Sequence, residues 1–392
     1  MKPTELLQEI RKRRFEEAYT GWQARRLTQE EAARLLGVHE RTFRRYIDCY
    51  EEAGLEGLAD KRLSQVSHRQ APVDEMVRLE ALYRERYDGW NVKHFYSFYR
   101  HQHDGSRSDT GVKNRLQAAG LVAKAPHRGQ HRKRRERAPL PGMMVHQDGR
   151  RQQWVPDTYW DLIVTMDDAT NAHYSMFFVE AEGTASRFRG VHEPSAQHGL
   201  FCSLYTDRGS PYWLTPDAGG KVAKTRPTQF GRAMRQLGIE RIPAYSPEAR
   251  GRSERAFRTP QERLTRELAA HGITGIEAAN RYLTAAYRPA FNAEFRQPAP
   301  EPGSAFVPLL GVNLDDVLGE QFERTVGKDN GVAFEGRTLQ IPAGPHRVHS
   351  VKVKVRVHRY GDGTLALFHG PRKLAQYDTE GRLSKPVIKA LA

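Results

Sequence analysis

The stretch LYTDRGS, Leu204–Ser210, decides how this chain is read. It closes an apolar run, GLFCSLYT (199–206), of the length of a buried strand bounded by turn residues. A carboxylate, Asp207, stands at its tip, and Arg208, Gly209 and Ser210 follow. Asp and Gly are common in turns, so one reading is a plain strand-end turn. The other is a metal ligand at the carboxyl end of a strand, where open sheets gather their ligand sites. The heptapeptide alone leaves both open.

Working outward, residues 143–155 (MMVHQDGRRQQWV), 159–170 (YWDLIVTMDDAT) and 172–181 (AHYSMFFVEA) are strand candidates joined by short turns. Residues 183–199 predict a helix, 200–207 the fourth strand, 228–238 a helix and 239–246 a short strand. Long helical patterns cover 251–272 and 275–292. Three antiparallel strands, then helix, strand, helix, strand and helix, is the order of a ribonuclease-H-like α/β fold. That domain is expected over 143–300.

Upstream the pattern is all-α. Residues 3–23 predict one helix. In LTQEEAARLLGVHERTFRRYIDCYEEAGLEGL (27–58), Thr28 and Glu31 match a capping box, Ala32, Leu35 and Leu36 share a face, and Gly37 stops the helix. Val38, Phe43, Tyr46 and Ile47 line a second helix, with Arg41, Arg44 and Arg45 projecting elsewhere. Two short helices about a Gly turn, the second arginine-rich, form the helix-turn-helix pattern expected over 1–64. A second helical unit of helix-turn-helix or winged-helix type is expected over 72–125, where Lys113 and Arg115 could face phosphates. Residues 126–142 read as a basic linker along DNA, with Arg128, Arg132, Lys133, Arg134, Arg135 and Arg137 before two prolines. Downstream of a proline-rich break, strict alternation and the Asp362-Gly363 hairpin signal predict a small all-β, SH3-like barrel over 320–380, with Lys352, Lys354 and Arg356 along one strand.

The totals agree with a polyanionic partner. There are 62 Lys+Arg against 47 Asp+Glu, for a net charge of +15, which favours double-stranded DNA over a membrane surface. No apolar run approaches the roughly 20 residues of a bilayer span. Two cysteines, Cys49 and Cys202, argue against a disulfide scaffold or a zinc site and for a cytoplasmic setting.

Acids now gather. Asp148 is read as a strand-end acid in VHQDG of the first candidate, as Asp207 ends the fourth, and Glu254 stands near the start of the long helix in GRSERAF. Adjacent first and fourth strands bring the aspartates together, and the helix can aim Glu254 at the same point. Converging carboxylates repel unless cations neutralise them. Hard divalent ions suit oxygen ligands, Mg²⁺ above all, and two ions about 4 Å apart serve phosphodiester chemistry. Arg208, Arg252 or Arg255 could hold phosphates or be ordinary surface charge.

PLPGMMVHQDG (139–149), DLIVTMDDAT (161–170), SLYTDRGS (203–210), KTRPTQFGRAMRQLGI (224–239), AYSPEARGRSERAF (244–257), EAANRYL (277–283) and HRVHSVKVKVRVHRY (346–360) resemble insertion-sequence transposases of the ISNCY type, within the integrase-core DDE superfamily. The resemblance spans nearly the whole chain. It implies that Asp148, Asp207 and Glu254 are the catalytic, metal-binding triad, with two Mg²⁺ ions that Mn²⁺ could replace. It also implies DNA cleavage and strand transfer on element ends and target DNA, by a homo-oligomer in the bacterial cytoplasm at the nucleoid. Asp167, Asp168 and Glu248 are the nearest decoys. Rival readings are a non-catalytic DNA-binding protein from a decayed transposase and a ribonuclease-H-like nuclease. The chain departs from the family pattern at Pro194, Pro211, Pro260, Arg150, Arg151 and His39. An interior proline removes a helix hydrogen bond, so a kink or break is expected near 256–260.

Overall fold

The computed structural model describes residues 3–59, 71–124, 136–214, 222, 227–245, 251–342 and 350–385, with backbone alone at 3–6, 251–256 and 385. It divides into two compact units, Met1–Arg86 and Tyr87–Ala392. The boundary falls inside the 72–125 stretch.

The first unit holds α1 (Pro3–Gln23), α2 (Gln29–Leu36), α3 (Glu40–Ala53) and α4 (Val73–Arg86). The Thr28–Glu31 capping box forms in full, and Gly37 ends α2 in the left-handed region at φ 65°. Phe15 and Ala18 of α1, Ala32 and Ala33 of α2, and Phe43 and Ile47 of α3 make the core. Full burial of a side chain such as Phe43 contributes about 1.5–3 kcal/mol. The inward face of α2 differs from the expected one: Ala33 is buried and Leu35 is 60% exposed. Close packing of α1 on α2 selects the small residues. His39 caps α3 in place of a hydroxyl, its Nδ1 accepting from the Arg41 amide at 3.2 Å.

The second unit begins with α5 (Val92–Gln102) and α6 (Asp109–Ala118), the latter capped by Ser108, whose hydroxyl accepts from the Gly111 amide. A five-stranded sheet follows: β1 (Met144–Val155), β2 (Thr158–Asp167), β3 (His173–Val179), β4 (Ser203–Thr206) and β5 (Glu240–Pro243), in the order β3-β2-β1-β4-β5. β1 to β3 are antiparallel neighbours, and β4 and β5 run parallel to β1. This is the mixed sheet that the element order predicts. Helices α7 (Thr184–His198) and α8 (Gln229–Leu237) contribute to the core on one face, with Phe188, Val191, Phe230 and Met234. A second core joins Trp154, Leu162 and Phe178 of the sheet to Phe257, Leu264 and Leu268 of α9 (Gly251–Ala270) and to α10 (Ile276–Tyr282) and α11 (Arg288–Phe295). A π-helical turn, Leu283–Tyr287, joins those last two just ahead of Pro289. Proline lacks the amide that would continue the regular ladder.

The prolines do not interrupt the helices. α7 runs through Pro194, and α9 runs unbroken through Pro260, which is buried. The expected break near 256–260 is absent because tertiary packing on the sheet outweighs one missing bond. Asp148 does not end its strand either. β1 continues antiparallel to β2 as far as Val155.

The C-terminal part follows α12 (Leu314–Val317). It is a sheet of β12 (Leu383–Lys385), β11 (Arg372–Tyr377), β10 (Leu365–His369), β9 (Lys354–Arg359) and β6 (Glu320–Thr325), in that spatial order, beside the hairpin of β7 (Gly331–Phe334) and β8 (Arg337–Gln340). Gly363 turns the expected hairpin at φ 82°. Lys352 lies before β9, in a left-handed turn at φ 63°. The basic face of the strand is therefore Lys354 and Arg356 without it. No helix among the described residues is long and apolar enough to cross a membrane.

Candidate active site and nucleic-acid interface

Parallel pairing of β1 with β4 sets the site. Met144 faces Ser203, Val145 faces Leu204 and His146 faces Tyr205, and there the ladder stops. Asp148 and Asp207 each lie two residues further on, at equivalent positions where the strands part. Both are half-buried. Asp148 Oδ1 accepts from the Gly149 amide at 3.0 Å, and Asp207 Oδ1 accepts from the Gly209 amide at 2.9 Å. A Cβ on Gly209 would stand 2.9 Å from that same oxygen. The Gly209 carbonyl accepts from the amides of Tyr212 and Trp213, so DRGSPYW folds back in a tight turn that accommodates Pro211. The turn reading and the ligand-placing reading of LYTDRGS are therefore compatible: the turn is what holds the carboxylate.

Residues absent from the sequence reading form a buried network beside Asp148 and the turn after Asp207. Gln147, beside Asp148, is buried. Its Nε2 donates to Thr165 Oγ1 and to the Arg187 carbonyl, and its Oε1 accepts from the Tyr212 hydroxyl at 2.9 Å. Arg187 of α7 is buried, its guanidinium 4.7 Å from the centre of the Tyr212 ring and hydrogen-bonded to Glu182. A Cβ on Gly149 would collide with Glu182 Oε2 and stand 2.7 Å from Arg187 Nη2. This explains a glycine within a strand: the ion pair occupies the space of its side chain. That glycine was the one readable signal of the pair. Burial pushes the Glu182 carboxyl up, and Asp161, Asp207 and Asp148 add to the rise against the pull of Arg187. Burial also pushes the Tyr212 hydroxyl well up, with Arg187 pulling it down and Asp207, Asp148 and Glu182 adding to the rise.

The decoys have structural partners. Asp167 accepts from the Gly142 amide and from both the amide and hydroxyl of Thr170. Asp168 accepts from the Ala138 amide and contacts His146 Nε2 at 2.7 Å. Both are fully buried. Arg150 and Arg151 are exposed, and Arg151 lies 3.5 Å from Asp161. The side chains of Glu254, Arg252 and Arg255, and residue Glu248, lie outside the described residues. Among the described residues no group of three or more His, Cys, Asp or Glu is arranged to hold a metal ion. Asp148 and Asp207, at equivalent positions where adjacent strands part, offer carboxylate oxygens, which fit hard divalent cations.

A family described as "Helix-turn-helix domain" matches residues 22–64. A protein named as transposase y4bF of Sinorhizobium fredii is 28% identical over 345 residues, 87% of this chain and 75% of that protein. The transposase for insertion sequence IS1202 of Streptococcus pneumoniae is 24% identical over 384 residues, 87% of this chain and 80% of the relative. The chain is a relative of transposases. Among solved structures, the simian T-cell lymphotropic virus intasome in complex with PP2A regulatory subunit B56 gamma is 14% identical, with TM-score 0.34, covering 73% of this chain and 93% of that one. The HTLV-2 integrase catalytic core domain in complex with magnesium, in its dimeric form, is 15% identical, with TM-score 0.28, covering 36% and 83%. At such scores the fold rests on the strand order itself.

In this transposase relative the matched helix-turn-helix segment contains α2 and α3. Arg41, Arg44 and Arg45 are exposed on α3, as expected. Arg44 lies 3.6 Å from Glu40, and Arg45 lies 5.9 Å from the centre of the Tyr46 ring. Lys113 is exposed on α6 and Arg115 is half-buried. Arg208 lies 5.3 Å from the centre of the Tyr245 ring. Arg128, Arg132, Lys133, Arg134 and Arg135 lie outside the described residues.

Proposed function

We propose that this chain is a DNA transposase of the ISNCY type in the DDE superfamily, which cuts DNA at element ends and joins the freed 3′-OH to target DNA. The observation that carries this is the equivalent placing of Asp148 on β1 and Asp207 just past β4, in a chain whose transposase relatives align over 87% of its length. Asp148 and Asp207, completed by Glu254 of α9, would hold two divalent ions, Mg²⁺ or in its place Mn²⁺. Such ions activate an attacking oxygen and steady a leaving one. The residues themselves bind and orient: the tight turn after β4 fixes Asp207, and the sheet fixes Asp148. Arg208, Arg252 and Arg255 would hold phosphates on either side of the cut.

The domain reading is part of the proposal. Residues 1–64 and 72–125 bind terminal inverted repeats through Arg41, Arg44, Arg45 and Lys113. Residues 126–142, with Arg132, Lys133, Arg134 and Arg135, track the DNA backbone. Residues 143–300 form the ribonuclease-H-like catalytic domain, and 320–380 an SH3-like barrel. The enzyme works as a homo-oligomer on DNA, in the bacterial cytoplasm at the nucleoid.

The test is incubation of the full chain and Mg²⁺ with linear DNA ending in the inverted repeats that flank its coding region, plus a supercoiled target. The expected result is cleavage at the repeat ends and joining to the target. Binding without any Mg²⁺-dependent cleavage would make the chain a non-catalytic DNA-binding protein. Cleavage without joining would make it a nuclease.

A further inference from the structure

Arg187 is a buried residue that contacts neighbours of both aspartates. Its carbonyl accepts from Gln147, the neighbour of Asp148. Its guanidinium lies over Tyr212, at the end of the turn that Asp207 begins. Its Nη2 donates to Glu182, which fills the space beside Gly149. Gln147 and Tyr212 are bonded to each other, closing the ring. The side chain of Arg187 keeps 2% exposure, against 40% for Glu182. Its Nε and Nη1 have no hydrogen-bond partner among the described residues. Burying a guanidinium that is only partly satisfied is costly, because its charge is taken out of water. Gly190, one turn along α7, lets the helix close onto the sheet, for a Cβ there would collide with Gln147 Nε2.

We infer that Arg187 is a positioning residue, which sets the separation of Asp148 from Asp207 by holding Tyr212 and Glu182 with its planar cation and Gln147 with its main-chain carbonyl. The inference rests on the assignment of Asp148 and Asp207 as metal ligands. Its chemistry needs arginine and no other cation. The planar fork donates to Glu182 while its face lies on the Tyr212 ring, and the point charge of a lysine does not do both. Glu182, held by Arg187, is thereby kept turned toward the fold.

The experiment is Mn²⁺ binding to the full chain by titration calorimetry, with thermal melting alongside, for the parent protein, Arg187→Lys, Arg187→Met, Tyr212→Phe and Asp148→Asn. Residues that orient metal ligands cost about 10- to 100-fold in affinity when lost. Arg187→Lys and Arg187→Met should therefore both bind Mn²⁺ at least about tenfold more weakly. The lysine, despite its charge, should not rescue. Mn²⁺ affinity unchanged or tightened in both, with or without a lower melting temperature, overturns the inference and leaves Arg187 a packing residue. Rescue by lysine also overturns it, because charge alone would then suffice. If the Arg187 variants do not fold, Tyr212→Phe decides, since it removes only the bond to Gln147: weaker binding supports the clamp and unchanged binding refutes it. A parent protein that binds no Mn²⁺, or an Asp148→Asn variant that binds it normally, overturns the metal-site reading itself.

Discussion

Asp148 and Asp207 are separated by 59 residues in sequence, yet each stands two residues beyond a directly paired couple, His146 and Tyr205, on adjacent parallel strands. That equivalence is set by backbone register, which local sequence does not encode. Asp207→Asn should therefore abolish Mg²⁺-dependent cleavage while leaving DNA binding intact. A loss of about 4 kcal/mol of transition-state stabilisation is about a thousandfold in rate. Cleavage of labelled repeat ends, beside a gel-shift measurement on the same preparation, checks it. Cleavage within tenfold of the parent would remove Asp207 from the chemistry.

Gly149→Ala tests the ion pair from the opposite side. The new methyl group takes the place of the Glu182 carboxylate. Glu182 can swing outward, but Arg187 is enclosed and would lose its carboxylate. Overpacking and the lost charged bond should together lower stability by about 1–3 kcal/mol. Urea denaturation measures this, and a stability equal to the parent's would mean that the pair does not need the glycine's space.

DNA binding should separate into two terms. Replacing Arg132, Lys133, Arg134 and Arg135 with neutral residues should flatten the slope of log affinity against log salt by about three to four, at roughly 0.9 for each phosphate no longer neutralised. Arg41→Ala or Arg44→Ala should instead reduce the preference for terminal repeats over random DNA. Fluorescence anisotropy across a salt series distinguishes them. An unchanged slope would remove 126–142 from the interface.

Acid should weaken the fold through His173. Burial, with Arg288 nearby, pushes its imidazole down to about 3 from an ordinary 6.5. Between those values the unfolded chain binds a proton that the folded protein refuses, so stability falls as pH drops through this window, by about 1.4 kcal/mol per unit. His173 stacks on Phe291 at 4.3 Å between ring centres. His173→Phe keeps a ring there and removes the proton. From pH 7.5 to 5.0 the parent should lose about 2 kcal/mol more than the variant by urea denaturation. Equal losses would show that His173 is not the acid-sensitive group.

Much of this protein is written locally. The capping box at Thr28 and Glu31, the left-handed Gly37, the strands of the sheet and the hairpin at Asp362-Gly363 all form as their residues demand. Cap and turn chemistry acts over three or four residues, and strand alternation needs no partner to be visible. β6 (EQFERT) is not legible as a strand because its burial is only partial and its acids and arginine mask the alternation. Pro260 misled because local propensity is weak beside packing on a sheet.

Sequence alone determined the element order, the basic balance and the acids at the ends of predicted strands. Only the tertiary structure decided that β1 and β4 pair in parallel, that their ladder stops two residues short of the aspartates, and that Arg187, Glu182, Gln147 and Tyr212 form one network beside them. Those four residues come from separate strands, loops and helices, and each alone looks like an ordinary polar residue. Burial makes them matter: once water is excluded, a guanidinium or an amide must find partners within the fold, and that requirement acts between segments distant in the chain.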